Sequence, residues 1–288
     1  MRQVAATIGP VWAPETEETL VQACVEIRAY APARLVIVGG DGSLRRILSA
    51  LCRTYGAEAL PRIALVPAGT VNLAASRFGI EGGVLRNLRS IQNASPNVTR
   101  TVQSLRLTID GEIHVGFTLG TGLISHFFEA YEQARKPGKG AAAAIFARTF
   151  VGSWFSTPFA RKILAPIVAE LCVDGDELGK LELTLLVCSV FSNLGLGLKP
   201  TYLAGSVPGK LHLVASTLPS RSLGPLAWRV LLGKPLKDNP VAPEVIDCMT
   251  SRFSVTFQVP TGVILDGDAI NARTVTVEPG PDLVLERN

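Results

Sequence analysis

A short apolar segment runs directly into a glycine cluster near the N-terminus, and this succession constrains the fold more than any other feature. Residues 34–38 (RLVIV) are mostly β-branched and lead into residues 39–42 (GGDG). Helical spacing of apolar residues then resumes over residues 43–52. Because strands buried on both faces are continuous apolar runs, this order predicts a buried strand, a glycine turn and a helix.

The same order of elements occurs a second time further along the chain. Residues 63–67 (IALVP) form another apolar run, residues 68–72 (AGTVN) form a turn, and residues 73–78 (LAASRF) are typical of a helix. Another helix is predicted before the first strand, at residues 16–33, where apolar residues recur with a period near 3.6. Two strand-turn-helix units in series indicate a parallel sheet covered by helices. We therefore predict an α/β domain over residues 1–103.

The second half of the chain has a different pattern, in which apolar and polar residues alternate. The alternating runs are residues 105–109, 182–187, 210–214 and 253–257. Turn signals of the Asp-Gly type occur in the same region, as at Asp110-Gly111 and Asp174-Gly175. A period of two indicates antiparallel strands, so we predict an antiparallel β-sandwich domain over residues 104–288.

Composition excludes several classes of protein. Hydrophobic residues make up 47% and charged residues 18% of the 288 residues, which excludes intrinsic disorder. The formal net charge is only +4, so we do not expect a nucleic-acid partner. The longest apolar runs, residues 113–128 and 183–198, are 16 residues long and too short to span a membrane. We therefore expect a cytoplasmic protein that contacts a membrane transiently without crossing it.

The cysteines and histidines give no sign of a disulfide framework or a metal site. The five cysteines are odd in number and include no C-x-x-C pair. The three histidines, His114, His126 and His212, are far apart in the chain. We assign no chemistry to either residue type.

An aromatic and basic insertion interrupts the predicted β domain at residues 126–162. It contains eight of the 18 aromatic residues of the chain and six basic residues, against two acids, Glu129 and Glu132. Phe146, Phe150 and Trp154 are spaced by four residues and so share one face of a helix. This pattern has two interpretations. The face either docks on anionic lipid or grips an acyl chain, or it is core.

Three segments are candidates for chemistry because polar or glycine residues directly follow predicted strands. The first is Gly39, Gly40, Asp41, Gly42 and Ser43, where glycines let backbone N–H groups approach an anion at a helix N-terminus. The second is Gly69, Thr70 and Asn72, and the third is Asp266 and Asp268 after residues 263–265. Taken singly, each segment is also explained as a tight turn with a helix cap or as a hairpin.

Taken together, these motifs resemble a known family. Residues 39–43 (GGDGS) resemble the G-G-D-G-T signature, residues 69–72 (GTVN) resemble G-T-x-N, and residues 266–268 (DGD) resemble D-G-E. All three belong to the superfamily of diacylglycerol kinase and sphingosine kinase catalytic domains, which also includes NAD kinases. The likeness runs from about residue 20 to the end and is strongest to the bacterial lipid kinases.

The resemblance implies a nucleotide-binding α/β domain and an ATP-dependent, Mg²⁺-dependent kinase that phosphorylates a hydroxyl of diacylglycerol or a related lipid in phospholipid metabolism. It implies that Asp266 is the catalytic base, with Asp41 as the alternative base. The ATP phosphates are then held by the glycine loop and the second turn, and Asp41 and Asp268 support the Mg²⁺ that the nucleotide carries. A homodimer is compatible with this interpretation.

The chain also departs from the family pattern. Only 38 residues precede Gly39, so the first βα unit of the family is not matched. Leu73 and Gln103 stand where many members have acids, and residues 206–209 (SVPG) lack the D-D-G acids associated with a structural metal. Two alternatives to the lipid kinase therefore stay open. They are a catalytically impaired protein that binds lipid or nucleotide, and an enzyme similar to NAD kinase.

Overall fold

The computed structural model describes most of the chain in two compact units. The residues described are 6–56, 59–69, 72–80, 82–93, 99–134, 138–194, 197–223, 226–236 and 244–286. The first unit consists of Met1–Ser104, Ile113–Gly116 and Gly280–Asn288, and the second of Leu105–Glu112 and Phe117–Pro279. The C-terminal residues 280–288 thus belong to the first unit. The domain bounds predicted from the sequence, residues 1–103 and 104–288, did not include this feature.

Helices and strands alternate in the first part of the chain, and strands dominate the rest. The elements of the first part are α1 (Glu17–Tyr30), β1 (Arg34–Gly39), α2 (Asp41–Tyr55), β2 (Arg62–Pro67), α3 (Leu73–Arg77), α4 (Val84–Asn93) and β3 (Thr99–Val102). The elements that follow are β4 (Leu105–Ile109), β5 (Glu112–Gly116), β6 (Thr118–Gly122), α5 (Leu123–Glu132), α6 (Lys139–Trp154), α7 (Pro158–Ile163), β7 (Ile167–Val173), β8 (Asp176–Leu183) and β9 (Leu185–Ser189). The last are β10 (Leu211–Ser216), α8 (Ser220–Leu223), α9 (Ala227–Leu231), β11 (Val245–Thr250), β12 (Phe253–Leu265), β13 (Asp268–Pro279) and β14 (Leu283–Glu286).

The sheet of the first unit has the strand order β1-β2-β14-β3. Strands β1, β2 and β14 are parallel, and β3 is antiparallel to β14. Residues 63–66 of β2 are buried, as expected of a strand covered by helices, and α4 contacts it through Leu88 and Ile91. Gly39 is paired with Pro67, so the two turns that follow β1 and β2 begin side by side. The predicted α/β fold is confirmed.

Helix α1 shows how local sequence sets the ends of an element. Thr16 is the N-cap and forms a capping box with Thr19. The helix ends at Tyr30 because Ala31 has a left-handed conformation, with φ of 47°. The helix is therefore shorter at both ends than the predicted range 16–33.

The second unit is built on an antiparallel sheet, as the alternating pattern predicted. Its strands follow the order β11-β10-β9-β6-β12-β13-β4, and β7 pairs with both β12 and β8. The register between β12 and β13 shifts between Thr256 and Thr261, and the two halves of β12 pair with different strands, β7 and β6. Leu107, Leu119 and Leu171 are among the buried residues of its core.

Helices α5, α6 and α7 lie between β6 and β7, over the predicted insertion. The rings of Phe146 and Phe150 are tilted by 46° with centroids 4.2 Å apart and are half-buried, whereas Trp154 is 63% exposed. The aromatic face of α6 is therefore divided between helix packing and solvent. Within the described ranges, no helix is long and apolar enough to cross a membrane.

Candidate functional site

Two glycine turns pack against each other at the carboxyl ends of β1 and β2. The N–H of Ala68 donates to the carbonyl of Gly39 at 2.9 Å. A Cβ atom added to Gly69 would lie 2.6 Å from the Cα of Gly40, and one added to Gly40 would lie 3.0 Å from the Cα of Gly69. The two turns can approach this closely only if both positions are glycine. Packing is therefore a second reason for these glycines, besides the access to an anion that was predicted from the sequence.

Asn72 closes the second turn with its side-chain amide. Its Oδ1 accepts the N–H of Gly69 at 2.8 Å, and its Nδ2 donates to the carbonyl of Gly69 at 2.6 Å. Its backbone has a φ of 51°, a left-handed conformation that asparagine tolerates better than most residues. Asn72 thus shapes the loop that was predicted to contact phosphate or ribose. The predicted contact Thr70 lies outside the described residues.

Helix α2 begins inside the glycine motif and directs its N-terminus to the edge where the two turns meet. Gly40 is the N-cap and has no side chain with which to cap the helix. In the part of the chain that the structure describes, the N–H groups of Gly42 and Ser43 have no hydrogen-bond partner. The N-terminus of a helix of 15 residues carries a partial positive charge. These two amides therefore form a candidate site for a phosphate group.

Asp41 connects the two turns. Its Oδ1 accepts the backbone N–H of Ala74 at 2.9 Å, in the first turn of α3. The carboxylate at the start of α2 thus caps the next helix along the chain. This role was not predicted from the sequence, because Asp41 and Ala74 are 33 positions apart.

Two variants of Asp41 are expected to separate its capping of α3 from the effect of its negative charge. Asp41→Asn keeps an oxygen that accepts the Ala74 N–H and removes the negative charge, whereas Asp41→Ala removes both. Loss of the cap is expected to lower the free energy of unfolding by about 1 kcal/mol in Asp41→Ala only. Urea unfolding of both variants measures this difference, and equal destabilisation of the two would contradict the capping role.

Asp266 occupies the first position of the two-residue turn between β12 and β13. Its φ of 52° is left-handed, and Gly267 follows with a φ of 97°, as Asp-Gly hairpin turns favour. The Asp266 carboxylate accepts the backbone N–H of Thr118 at 2.8 Å and that of Phe117 at 3.0 Å. These two amides, of the first residue of β6 and the residue before it, fix the orientation of the carboxylate.

Two other Asp-Gly turns of the second unit have the same arrangement. Asp110 and Asp174 have φ angles of 47° and 50°, and each carboxylate accepts two consecutive backbone N–H groups. The amides are those of Arg273 and Thr274 for Asp110, and those of Ser251 and Arg252 for Asp174. The hydrogen bonds of Asp266 are therefore those of a hairpin residue. A test of its chemical role has to compare variants of Asp266 with the same variants of Asp110 and Asp174.

Hydrogen bonding has a clear electrostatic effect at these two turns. At Asp110, the backbone N–H groups of Arg273 and Thr274 hold the pKa of the carboxyl below its ordinary value. At Asp174, burial raises the pKa, but hydrogen bonds from the Thr250 side chain and from two backbone amides outweigh it, so the pKa is lowered. Both carboxylates are therefore ionised at neutral pH.

The structure also places the acids predicted to act on a metal. Asp268 is half-buried and pairs with Leu265 across the hairpin, two residues after Asp266. Asp41 belongs to the first unit. Among the residues that the structure describes, no group of three or more His, Cys, Asp or Glu side chains could hold a metal ion. Residues 206–209, which lack the family acids, form an exposed segment.

A buried network around His212 was not predicted from the sequence. His212 Nδ1 accepts the backbone N–H of Leu203 at 3.3 Å, so its ring proton lies on Nε2, which is 2.7 Å from Asp247 Oδ1. The Tyr202 hydroxyl donates to the other oxygen of Asp247. Burial and the Asp247 carboxylate raise the pKa of Tyr202 to about 12. The network holds residues 202–203 against β10 and β11, which is a structural role.

The fold and the site define a class of protein. The first unit is a mostly parallel α/β sheet with two packed glycine turns and a helix N-terminus at its carboxyl edge, and the second is an antiparallel β unit with Asp266 and Asp268 at a hairpin. Residues 1–104 match the family model of the diacylglycerol kinase catalytic domain. The resemblance drawn from the motifs is therefore confirmed for this part of the chain.

Solved structures share the fold over the whole chain. A diacylglycerol kinase from Bacillus anthracis str. Sterne is 16% identical, with a TM-score of 0.61, and the match covers 99% of this chain and 88% of that one. A second structure from the same organism, whose own assignment as a diacylglycerol kinase is provisional, is 17% identical with a TM-score of 0.65, covering 99% and 89% of the two chains. No curated protein matches the sequence.

Proposed function

We propose that the protein is an ATP-dependent lipid kinase that transfers the γ-phosphoryl group to a hydroxyl of diacylglycerol or a related lipid. The observation that carries the proposal is the N-terminus of α2, where the Gly42 and Ser43 amides meet the packed turns of Gly40 and Gly69. This arrangement lies within the region that matches the diacylglycerol kinase family model. The solved structures of the same fold bear that family's name, which supports the same acceptor class.

The first unit would bind and orient the nucleotide. Phosphoryl transfer depends mainly on alignment and on stabilising the charge of the phosphate oxygens. The amides of Gly42 and Ser43 donate to these oxygens, and the exposed Ser43 hydroxyl adds a donor. Because Asn72 and Asp41 fix the two turns, these donors are held in place before the nucleotide binds.

The proton of the lipid hydroxyl needs an acceptor in this reaction. The lipid oxygen forms the new bond to phosphorus, the bond between phosphorus and the leaving ADP oxygen breaks, and the proton passes to the Asp266 carboxylate. The backbone amides of Phe117 and Thr118 hold this carboxylate in one orientation. Asp41 is the alternative acceptor.

The carboxylate of Asp41 suits a metal ion that arrives with the nucleotide. Mg²⁺ binds oxygen ligands, prefers one or two carboxylates plus substrate phosphates, and neutralises phosphate charge when bound. Asp41 and Asp268 are the carboxylates proposed to hold it. The cap that Asp41 makes to Ala74 engages Oδ1, and a carboxylate has about four acceptor sites, so the cap is compatible with this second role.

The function is tested by following labelled phosphate from Mg²⁺·ATP into lipid in mixed micelles. We expect labelled product with diacylglycerol and none with triacylglycerol, the matched control in which the same hydroxyl is esterified. Labelling of NAD in place of lipid would replace the proposal with an NAD kinase activity. Nucleotide binding without labelling of any acceptor would also contradict it.

A binding protein without phosphoryl transfer is the second candidate. It is favoured by one observation, namely that the hydrogen bonds of Asp266 match those of Asp110 and Asp174, two hairpin residues with no predicted chemistry. In that case the first unit binds nucleotide, but variants of Asp266 behave like variants of the other two turns.

A further inference from the structure

The C-terminal end of helix α6 buries small and hydroxyl-bearing residues and exposes two large apolar ones. Its buried positions include Thr149, Gly152 and Ser153, whereas Val151 is 54% and Trp154 63% exposed. Helices of globular proteins bury their apolar stripe and expose their polar one. Val151 and Trp154 are therefore placed where packing within the chain makes little use of them.

The buried face of α6 is packed and hydrogen-bonded without Val151 and Trp154. Thr149 donates its hydroxyl to the carbonyl of Ile145 at 2.8 Å, and Ser153 donates to Phe150 at 2.7 Å, so both hydroxyls are satisfied within the helix. A Cβ at Gly152 would collide with the Thr157 side chain and would lie 3.1 Å from the Cβ of Ala160, which means that α6 and α7 are in close contact there. Small residues thus hold the end of α6 against its neighbour, and Val151 and Trp154 face outward, whereas Phe146 and Phe150 are half-buried.

The exposed apolar residues are concentrated at the C-terminal end of α6. Val151, Trp154 and Phe155 lie within five residues, and Phe155 is 76% exposed, the highest value among the exposed large apolar side chains of the described chain. Contiguous exposed apolar patches mark surfaces that bind another molecule. Tryptophan is enriched where a surface meets the boundary between lipid and water.

Basic residues beside these exposed apolar side chains indicate what kind of molecule the surface binds. Arg161 donates to the carbonyl of Ser156, the residue after Phe155, at 2.7 Å. Arg161 and Lys162 of α7 are exposed, and the Arg148 guanidinium lies 4.1 Å from the ring centre of Phe159. A basic surface with exposed aromatic residues is complementary to anionic lipid, because the charges are attracted to the headgroups while the aromatic rings enter the interface.

We propose that the α6 patch, defined as Val151, Trp154 and Phe155 with Arg161 and Lys162, docks the protein on an anionic lipid surface. The proposal rests on the proposed lipid kinase function for its purpose, since a water-insoluble acceptor is met at a membrane. The contact itself needs neither nucleotide nor turnover. Its chemistry is peripheral, with side chains entering the interface and no helix crossing it.

The test is binding of the full chain to vesicles of phosphatidylcholine with and without phosphatidylglycerol, measured by sedimentation without ATP. The Arg161→Gln/Lys162→Gln variant is expected to bind the anionic vesicles about tenfold or more weakly, since each basic residue near the surface contributes to attraction. Trp154→Ser/Phe155→Ser is expected to weaken binding similarly. Added salt should weaken the wild type through screening.

Matched controls come from the same unit. Lys180→Gln/Arg252→Gln removes two exposed basic residues elsewhere, and Val259→Ser replaces a side chain that is 65% exposed. Both controls are expected to bind vesicles like the wild type. Equal losses in the controls and the patch variants would overturn the proposal, because they would show an effect of net charge or general hydrophobicity.

A second measurement places the patch directly. In a Trp12→Phe/Trp228→Phe background, Trp154 is the remaining tryptophan, and lipids with brominated acyl chains are expected to quench its fluorescence. Absence of quenching in bound protein would contradict insertion at this position. A stable lipid-free dimer that Trp154→Ser/Phe155→Ser dissociates would assign the patch to a second copy of the chain instead.

The vesicle assay and the kinase assay can each contradict one proposal without contradicting the other. Vesicle binding through the patch without lipid phosphorylation would leave the docking proposal intact and contradict the kinase. Phosphorylation of a short-chain, water-soluble diacylglycerol by a protein that does not bind vesicles would do the reverse.

Discussion

Replacing Asp266 with asparagine is expected to reduce lipid phosphorylation by about 10²- to 10⁴-fold, the range that a general base contributes. Asn-Gly is as well suited as Asp-Gly to this hairpin turn, and the asparagine oxygen still accepts the N–H groups of Phe117 and Thr118. The variant therefore removes the proton acceptor while keeping the hairpin. Initial rates with saturating Mg²⁺·ATP and diacylglycerol measure the effect.

The second unit supplies two internal controls for this experiment. Asp110→Asn and Asp174→Asn make the same change in turns with the same left-handed backbone and the same pair of backbone hydrogen bonds. Both are expected to keep near wild-type rates and to change the free energy of unfolding no more than Asp266→Asn does. If all three variants have similar rates, Asp266 is a hairpin residue and not the base.

Replacing Gly69 with alanine is expected to weaken nucleotide binding and to destabilise the first unit. The new Cβ would lie 2.6 Å from the Cα of Gly40 and 2.9 Å from the Oδ1 of Asn72. Because the first of these atoms belongs to the backbone, the two turns have to separate. Overpacking of this kind costs about 1–3 kcal/mol. We expect affinity for Mg²⁺·ATP to fall about tenfold or more, as measured by calorimetry.

Gly9 provides the matched control for this substitution. A Cβ at Gly9 meets no atom within 4 Å, and Gly9 belongs to the same unit. Gly9→Ala is expected to change the free energy of unfolding by less than about 0.5 kcal/mol and to leave nucleotide binding unchanged. Wild-type affinity in Gly69→Ala would show that the contact of the two turns is not needed for the site.

Local patterns were sufficient to predict the elements of the first unit. The apolar runs before the two glycine turns are β1 and β2, because buried parallel strands need continuous apolar residues, and the helical spacing after Gly42 is α2. The alternation of the second half likewise predicted antiparallel strands. Each of these inferences depends on neighbours within about ten residues, where spacing alone determines which face a side chain occupies.

The roles of individual side chains depend on register and were not accessible from spacing. Asp41 caps α3 only because β1 and β2 are paired with Gly39 beside Pro67. The common arrangement of the three Asp-Gly turns depends on which strand lies beside each turn. The outward face of α6 was left open between core and membrane, since four-residue spacing identifies a shared face but not what covers it.

The position of β14 has a consequence for the order in which the first unit is assembled. This strand lies between β2 and β3 in the sheet, although more than 180 positions separate residue 102 from residue 283 along the chain. During synthesis, β2 and β3 leave the ribosome long before the strand that joins them. The edge of β2 that receives β14 must therefore remain unpaired while the β-rich unit is made, so that the first region to be synthesised is the last to complete its sheet.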